Sequence, residues 1–259
     1  WDDFTLTNDE KADFYVIINK PLPNKPNEYY DDKKTIYLTM EPSFSKLIKN
    51  FKKTVEKNKN IYYHKINGLE WWISKTYDEL LNYKIKKNKI FSSIISDNYI
   101  SEYHKKRVNF LPYLDKLNID FYGKLRFPED DGYKIIKSLK NYKGELIIKD
   151  HGLLPYKYSF ACENACEINY FSEKIIDCIL SECLCFYCGC PNLPKFINPA
   201  AYIIIDLNDP EFAIKTIKDS IKQNEWEKRL NIIKEEKLKI LNKLQLIPTI
   251  IDIIKSKLS

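Results

Sequence analysis

Several residue types and patterns that mark particular protein classes are scarce or absent in this sequence. It has six glycines, one methionine and three histidines among 259 residues, and no two histidines have the spacing of metal ligands. No apolar run reaches the roughly 18 residues of a transmembrane helix. An arginine-rich arm, an RNP motif and zinc-finger spacing are also missing. We therefore expect no membrane-spanning helix and no nucleic-acid partner.

The composition is that of a globular chain with a mixed surface charge. Hydrophobic residues make up 44%, and 42 basic against 36 acidic residues give a net charge of +6. This excess is typical of a solvated surface and would also suit an anionic ligand. The chain begins at Trp1 and shows no signal-peptide pattern. We expect a soluble cytoplasmic domain, and a Golgi or secretory location stays open if an N-terminal anchor has been removed.

Apolar, β-branched runs alternate with amphipathic segments, which predicts an α/β fold built from βαβ units with parallel sheets. The predicted strands are residues 12–20, 35–40, 90–96, 119–123, 144–149, 183–188 and 202–206. The predicted helices are residues 43–57, 101–117, 132–142, 172–182 and 210–222, followed by a largely helical tail.

A Lys/Asn-rich stretch at 83–89 separates two halves. We expect one domain over 1–88, a second over 89–223 and a helical tail over 224–259 that Pro248 divides. The apolar residues of the tail recur at helical spacing, which favours packing across both domains. A dimerising or membrane-surface helix is the alternative, because lysines of the tail could meet anionic lipid. The apolar residues in question are Leu230, Ile233, Leu238 and Leu241.

The segment 156–174, YKYSFACENACEINYFSEK, carries the strongest functional signal. It predicts a short strand, an Asn-containing loop and the start of a helix at Ser172. Unpaired N–H groups and a partial positive charge make a helix N-terminus attractive to anions. Lys174 is unfavourable for the helix dipole in that first turn. A bound anion such as a phosphate explains a lysine at this position better than helix stability does.

This segment resembles the donor-binding signature of the fucosyltransferases of glycosyltransferase family 10, an α-1,3/4-fucosyltransferase-like pattern. Glu163-Asn164 and Tyr170-x-Ser172-Glu173-Lys174 fall at the family spacing, with Ser172 where threonine is usual. The resemblance is strongest over 90–206. It includes Ser96, Asn98 and Arg107, the run 120–123, DFYG, and the Gly-Pro rhythm after residue 188, with one inserted residue at Asp97. The segment 35–44, TIYLTMEPSF, resembles the part of the family that carries its proposed catalytic base.

The resemblance implies two Rossmann-like domains that face each other, the GT-B arrangement, with the acceptor side in the N-terminal half and the donor side in the second. It implies inverting transfer of fucose from GDP-fucose to a hydroxyl of a glycan acceptor, without a metal or other cofactor. Arg107 and Lys174 would neutralise the leaving diphosphate. Glu41 would be the catalytic base. The other donor-binding candidates are Asn164, Tyr170 and Glu173, with Asn98, Tyr122, Ser172 and Lys124 as secondary candidates.

Each candidate also has a structural interpretation. Glu41 and Glu173 could be ordinary acidic charges near helix N-termini. Asn164 could be a turn residue, and Tyr170 could be part of the core. Glu163 is expected to be structural.

All seven cysteines lie between positions 162 and 190. The run Cys183-x-Cys185-x-x-Cys188-x-Cys190 is compatible with a zinc site, but a buried strand would send neighbouring side chains to opposite faces. We expect free thiols that pack as small hydrophobic residues, and one disulfide stays open for a secreted protein.

Three alternatives remain at this point. The first is the same fold with a different nucleotide-sugar donor or acceptor. The second is an inactive glycan-binding or scaffold protein, against which the joint presence of Glu41, Arg107, Glu173 and Lys174 argues. The third is a zinc-stabilised binding module built around the cysteines.

Overall fold

The computed structural model describes residues 3–7, 11–20, 31–46, 48, 61–64, 68 and 70–258. The described N-terminal half contains a parallel sheet of three short strands in the order β1-β2-β3. These strands are Tyr15–Ile18 (β1), Thr35–Leu38 (β2) and Tyr62–His64 (β3). All four residues of β2 are buried, as expected for a central parallel strand that is covered on both faces.

The second sheet has five parallel strands in the order β5-β4-β6-β7-β8. They are Lys89–Ile94 (β4), Asp120–Tyr122 (β5), Tyr156–Cys162 (β6), Leu184–Cys188 (β7) and Tyr202–Ile204 (β8). The central strands are the most apolar because helices cover both faces. The strands predicted at 90–96, 119–123, 183–188 and 202–206 are confirmed within a few residues at their ends.

Seven α-helices are present in the described parts of the chain. They are Tyr77–Asn82 (α1), Glu102–Leu114 (α2), Asp131–Lys137 (α3), Glu173–Leu180 (α4), Pro210–Lys222 (α5), Glu225–Lys239 (α6) and Leu246–Leu258 (α7). Two helices that matter for function begin at serine N-caps. Ser101 and His104 form a reciprocal capping box at α2, and the Ser172 hydroxyl accepts from the Lys174 backbone N–H at α4.

The strand predicted at 144–149 is wrong. The edge of β5 is already paired through Phe121, whose N–H donates to the Asn141 carbonyl and whose carbonyl accepts from the Lys143 N–H. The following residues therefore have no free sheet edge to join, and Ile147 is 99% exposed. A 3-10 turn at Lys149–Gly152 follows. The helix predicted at 132–142 ends early for the same reason, since residues 141–143 pair with β5.

Of the helix predicted at 43–57, residues 43–46 and 48 lie in a loop with turns, and the remainder falls outside the described residues. The division of the tail at Pro248 is also wrong. A π-helical turn at Ile240–Leu244 follows α6, and the chain becomes extended at Gln245. Pro248 lies in the first turn of α7, where a backbone N–H would have no helical partner.

The two parts of the tail pack in different places. Ile233 of α6 and Leu241 lie in the large apolar cluster of the second sheet, whereas Leu238 is half-exposed. Ile250, Ile253 and Ile254 of α7 pack with Ile36 and Leu38 of β2 in a smaller cluster. The tail thus contacts the cores of both sheets. Among the described residues, no helix combines the length and apolarity needed to cross a membrane.

Candidate functional site

The candidate residues gather where strands of both sheets end. Glu41 follows β2, Ser96 follows β4, Asn164 follows β6, and Glu173 opens α4. The carboxyl ends of parallel strands form the crevice in which open α/β folds bind ligands. The two halves touch here: the Ser43 N–H and hydroxyl donate to the Glu167 carboxylate at 3.0 and 2.8 Å.

A buried carboxylate, Glu163, organises the start of α4. The Ser172 N–H and hydroxyl donate to it at 2.9 and 2.6 Å, and the Tyr187 hydroxyl donates at 3.3 Å. The Lys174 Nζ lies 3.4 Å from Glu163 Oε2 and donates to the Ser172 hydroxyl at 3.0 Å. Gly189 is required beside this carboxylate, because a Cβ there would lie 2.5 Å from Glu163 Cγ. Glu163 therefore has the structural role that we expected.

Glu173 and Lys174 form a charged pair at the first turn of α4, with 3.5 Å between Lys174 Nζ and Glu173 Oε1. Burial alone would raise the pKa of Glu173, but the ammonium groups of Lys174 and Lys149 outweigh it and hold the pKa below its ordinary value. Burial would lower the pKa of Lys174, but Glu163 and Glu173 outweigh it and raise that pKa. Both side chains are thus charged at neutral pH.

Lys149 and Asp177 belong to the same network, and the sequence analysis missed both. Lys149 Nζ lies 2.5 Å from Asp177 Oδ2 and 3.8 Å from Glu173 Oε1. Asp177 is completely buried, and burial raises its pKa to about 6 despite the opposing ammonium of Lys149. The signal for Asp177 was its position four residues after Glu173, which places both on one face of α4. Lys149 had no such signal, because it lies in the turn that was predicted as a strand.

Arg107 lies on the buried face of α2 and points at the loop after β6. Its NH1 donates to Asn164 Oδ1 at 3.0 Å, and its NH2 donates to the Ser96 hydroxyl at 3.2 Å. Its Nε is buried without a partner among the described residues. Burial lowers the pKa of Arg107, while nearby acidic groups, including Glu163 and Glu173, act in the opposite direction. The structure thus brings together two candidates, Arg107 and Asn164, that the sequence analysis had named separately.

His104 lies one helical turn before Arg107 and is also buried. Its Nδ1 accepts from the Ser101 N–H at 3.3 Å. Burial and the charge of Arg107 lower the pKa of His104 to about 4, so the ring is neutral near pH 7. The ring of Phe44, from the loop after β2, contacts His104 edge-on with centroids 6.4 Å apart.

Two carboxylates of the N-terminal half, those of Glu41 and Glu70, lie close enough to Glu173 for its charge to act on them. Burial raises the pKa of Glu41, the hydrogen bond from Ser45 opposes it, and the charges of Lys174 and Glu173 also act on it. Burial likewise raises the pKa of Glu70, with Trp72 opposing and the charges of Glu173 and Glu41 adding to the rise. Glu41 was among the predicted site residues, whereas Glu70 was not.

The remaining candidates lie in different surroundings. Tyr170 is buried, and burial followed by the charge of Glu163 raises its pKa. Asn98 is half-buried in the loop after β4. Tyr122 shares a hydrogen bond of 2.7 Å with Tyr156, and Lys124 is exposed and lies 3.0 Å from Glu145. The contacts described for Tyr122 and Lys124 include none with Arg107, Asn164, Glu173 or Lys174.

The cysteines are free thiols, and five of them are buried. The cysteines of β7 pack in the large apolar cluster. Over the residues that the structure describes, no group of three or more His, Cys, Asp or Glu side chains is arranged to hold a metal ion.

No family model and no curated protein sequence matches the chain. Solved structures do. An α1,3-fucosyltransferase aligns over 92% of this chain and 81% of its own, with 17% identity and a TM-score of 0.52, and its structure with GDP aligns with 16% identity over the same shares and a TM-score of 0.50. A structure of α1,3-fucosyltransferase with GDP-fucose aligns over 61% of this chain and 49% of its own, with 19% identity and a TM-score of 0.43.

Two other solved structures align at similar levels. A glycosyltransferase from Rickettsia africae aligns over 94% of this chain and 70% of its own, with 13% identity and a TM-score of 0.54. TarM aligns over 90% of this chain and 57% of its own, with 14% identity and a TM-score of 0.55. At these identities the comparisons show the fold: the chain has the expected α/β architecture of Rossmann-like domains in the GT-B arrangement.

Proposed function

We propose that the protein is a glycosyltransferase that transfers fucose from GDP-fucose to a hydroxyl of a glycan acceptor with inversion. The observation that carries the proposal is the convergence of Arg107, Lys174 and Glu173 at the carboxyl edge of the second sheet, opposite Glu41 from the first. The aligned α1,3-fucosyltransferase with GDP has this fold and supports the choice of a guanosine nucleotide. We propose residues 89–223 as the donor side, 1–88 as the acceptor side and 224–259 as the tail.

The cations suit a leaving diphosphate. Arg107 and Lys174 both lie near the buried Glu163, and the N-terminus of α4 adds a partial positive charge. Fixed cations that are shielded from water stabilise developing negative charge without the reorganisation that water would need. This arrangement supports neutralisation of the diphosphate by the protein itself, with no metal or cofactor. Asn164, which Arg107 orients, and Glu173 are placed to bind hydroxyl groups of the donor.

Glu41 is proposed as the base. A carboxylate with a raised pKa is a better proton acceptor than an ordinary surface carboxylate, because catalytic efficiency increases as the pKa approaches the working pH. It would remove the proton of the attacking acceptor hydroxyl while the diphosphate departs toward Arg107 and Lys174. Glu41 and the two cations come from different halves, so the fold separates the acceptor side from the donor side.

Calorimetric titration without added metal tests the proposal, with GDP, GDP-fucose, GDP-mannose, UDP and UDP-sugars as ligands. We expect saturable binding of GDP-fucose and competition by GDP. Preference for a UDP ligand would keep a transferase with a different donor. Absence of binding to every nucleotide would contradict the proposal and leave an inactive scaffold protein.

A further inference from the structure

We propose that the exposed indole of Trp72, together with the carboxylate of Glu70, forms the subsite that holds the acceptor saccharide beside Glu41. The inference rests on the proposed function, because it assigns the acceptor side of the same site. The ligand class is a neutral saccharide that presents one apolar face and a rim of hydroxyl groups.

Trp72 is exposed although its neighbour is packed. The Trp72 side chain is 61% exposed, whereas Trp71 packs against the large apolar cluster and donates from its indole to the Lys75 carbonyl at 3.0 Å. Exposing a large aromatic side chain forgoes the gain from burying it, so its position in a charged crevice is consistent with a ligand that covers it.

The backbone that carries Trp72 is held in place. Its N–H donates to Asp177 Oδ1 at 2.9 Å. Two residues later, the Ser74 N–H and hydroxyl donate to the buried Asp150 at 2.8 and 2.7 Å. The ring therefore projects from a fixed backbone, and ligand binding costs little conformational entropy of that backbone.

Trp72 is joined directly to the proposed donor side. Asp177, which accepts from its N–H, also pairs with Lys149, and Lys149 lies 3.8 Å from the Glu173 carboxylate. The Lys149 ammonium lies 5.5 Å from the centroid of the Trp72 ring. The Lys149 side chain thus links the Trp72 ring to Glu173, the first residue of α4.

The charges around the ring favour a neutral polyol over a nucleotide, because the ammonium of Lys149 near it is already paired with Asp177 and Glu173. Glu70 is adjacent to the indole, and it lies close enough to Glu41 and Glu173 for their negative charges to act on it. A diphosphate would be repelled by these carboxylates, whereas sugar hydroxyls donate hydrogen bonds to carboxylate oxygens. An aromatic face also accepts the polarised C–H groups of a pyranose ring. Aromatic platforms with a few polar groups are typical of small-ligand sites.

The test uses an array of defined oligosaccharides, probed with labelled protein that has been saturated with GDP so that no transfer occurs. We expect the wild type to bind at least one glycan class and Trp72→Ala to lose at least about tenfold in affinity for it. Trp72→Phe keeps an aromatic face and should recover part of the loss. Phe212→Ala is the matched control, because Phe212 is 63% exposed on α5. It should bind as the wild type does.

The outcomes separate this inference from the proposed function. GDP affinity is measured on every variant, and circular dichroism shows whether each one folds. Unchanged glycan binding by folded Trp72→Ala, or no glycan binding by the GDP-saturated wild type, would overturn the acceptor subsite while leaving donor binding intact. Failure of the wild type to bind any nucleotide would instead overturn the proposed function.

Discussion

The Lys174 ammonium lies 3.4 Å from the carboxylate of Glu163, which is completely buried. A lysine in the first turn of a helix opposes the helix dipole, and an external anion had been the explanation drawn from the sequence. The structure supplies an internal anion as well. Lys174 thus has two roles: it neutralises the buried charge of Glu163, and it provides a positive charge for a bound anion. The two roles can be separated by experiment.

Replacing Lys174 by methionine should reduce the free energy of unfolding by about 3 kcal/mol, because removal of one partner leaves the other charge buried and unpaired. Adding Glu163→Gln to this variant should recover most of the loss, since the neutral amide needs no counter-ion. Urea denaturation of the single and double variants measures both values. Lys228→Met, which removes an exposed ion pair with Glu225, is the control and should change stability by at most about 0.5 kcal/mol.

The same double variant tests the role in anion binding. With its stability restored, Lys174→Met/Glu163→Gln should still bind GDP at least about tenfold more weakly than the wild type, because a charge-assisted contact to the diphosphate is lost. Wild-type GDP affinity in this variant would show that Lys174 only compensates Glu163.

Glu41→Gln should leave GDP affinity unchanged and lower the rate of transfer by about a hundredfold or more, because the amide cannot accept the proton of the acceptor. Burial raises the pKa of Glu41, so the wild-type rate should be lost as the pH falls through a midpoint above 4.5. Initial rates with GDP-fucose and a glycan that the wild type accepts measure both effects. Unchanged transfer by Glu41→Gln would assign the base to another carboxylate, for which Glu70 is the candidate, because burial also raises its pKa and the charge of Glu41 acts on it.

The parts of the site that could be predicted from the sequence depend on local patterns. The N-cap at Ser172 and the buried run of β7 follow from neighbouring residues. The resemblance singled out Arg107 and Asn164 as separate candidates, and their hydrogen bond to each other was found only in the structure. Lys149 could not be predicted, because it reaches Asp177 only through tertiary packing and sits in a turn with strand-like composition. Glu70 was missed because its loop meets Glu173 across the crevice, which no local pattern records.

His104 should make the protein sensitive to mild acid. Its folded pKa of about 4 lies below the ordinary value of 6.5, so the unfolded chain binds the proton more readily. The stability that this histidine contributes is complete above pH 6.5 and is lost as the pH falls toward 4. Between pH 7.5 and 5 the wild type should lose about 2 kcal/mol more than His104→Gln, which keeps the side-chain acceptor of the capping box. Equal losses in both proteins, measured by urea denaturation, would show that His104 titrates normally in the folded state.

The cysteines should react according to their burial, which tests their packing role against the zinc and disulfide alternatives. Cys166 is exposed, Cys188 is half-buried, and the other five are buried. A thiol reagent should therefore modify one cysteine rapidly in the native protein, and Cys166→Ser should remove that fast phase. Cys188 should react more slowly: the hydrogen bond from Cys162 lowers its pKa, but the side chain is only partly accessible.

In denaturant without reductant all seven thiols should react, because small buried thiols contribute by packing rather than by cross-linking. Fewer than seven would reveal a disulfide, and protection of the cluster that a chelator abolishes would reveal a bound metal.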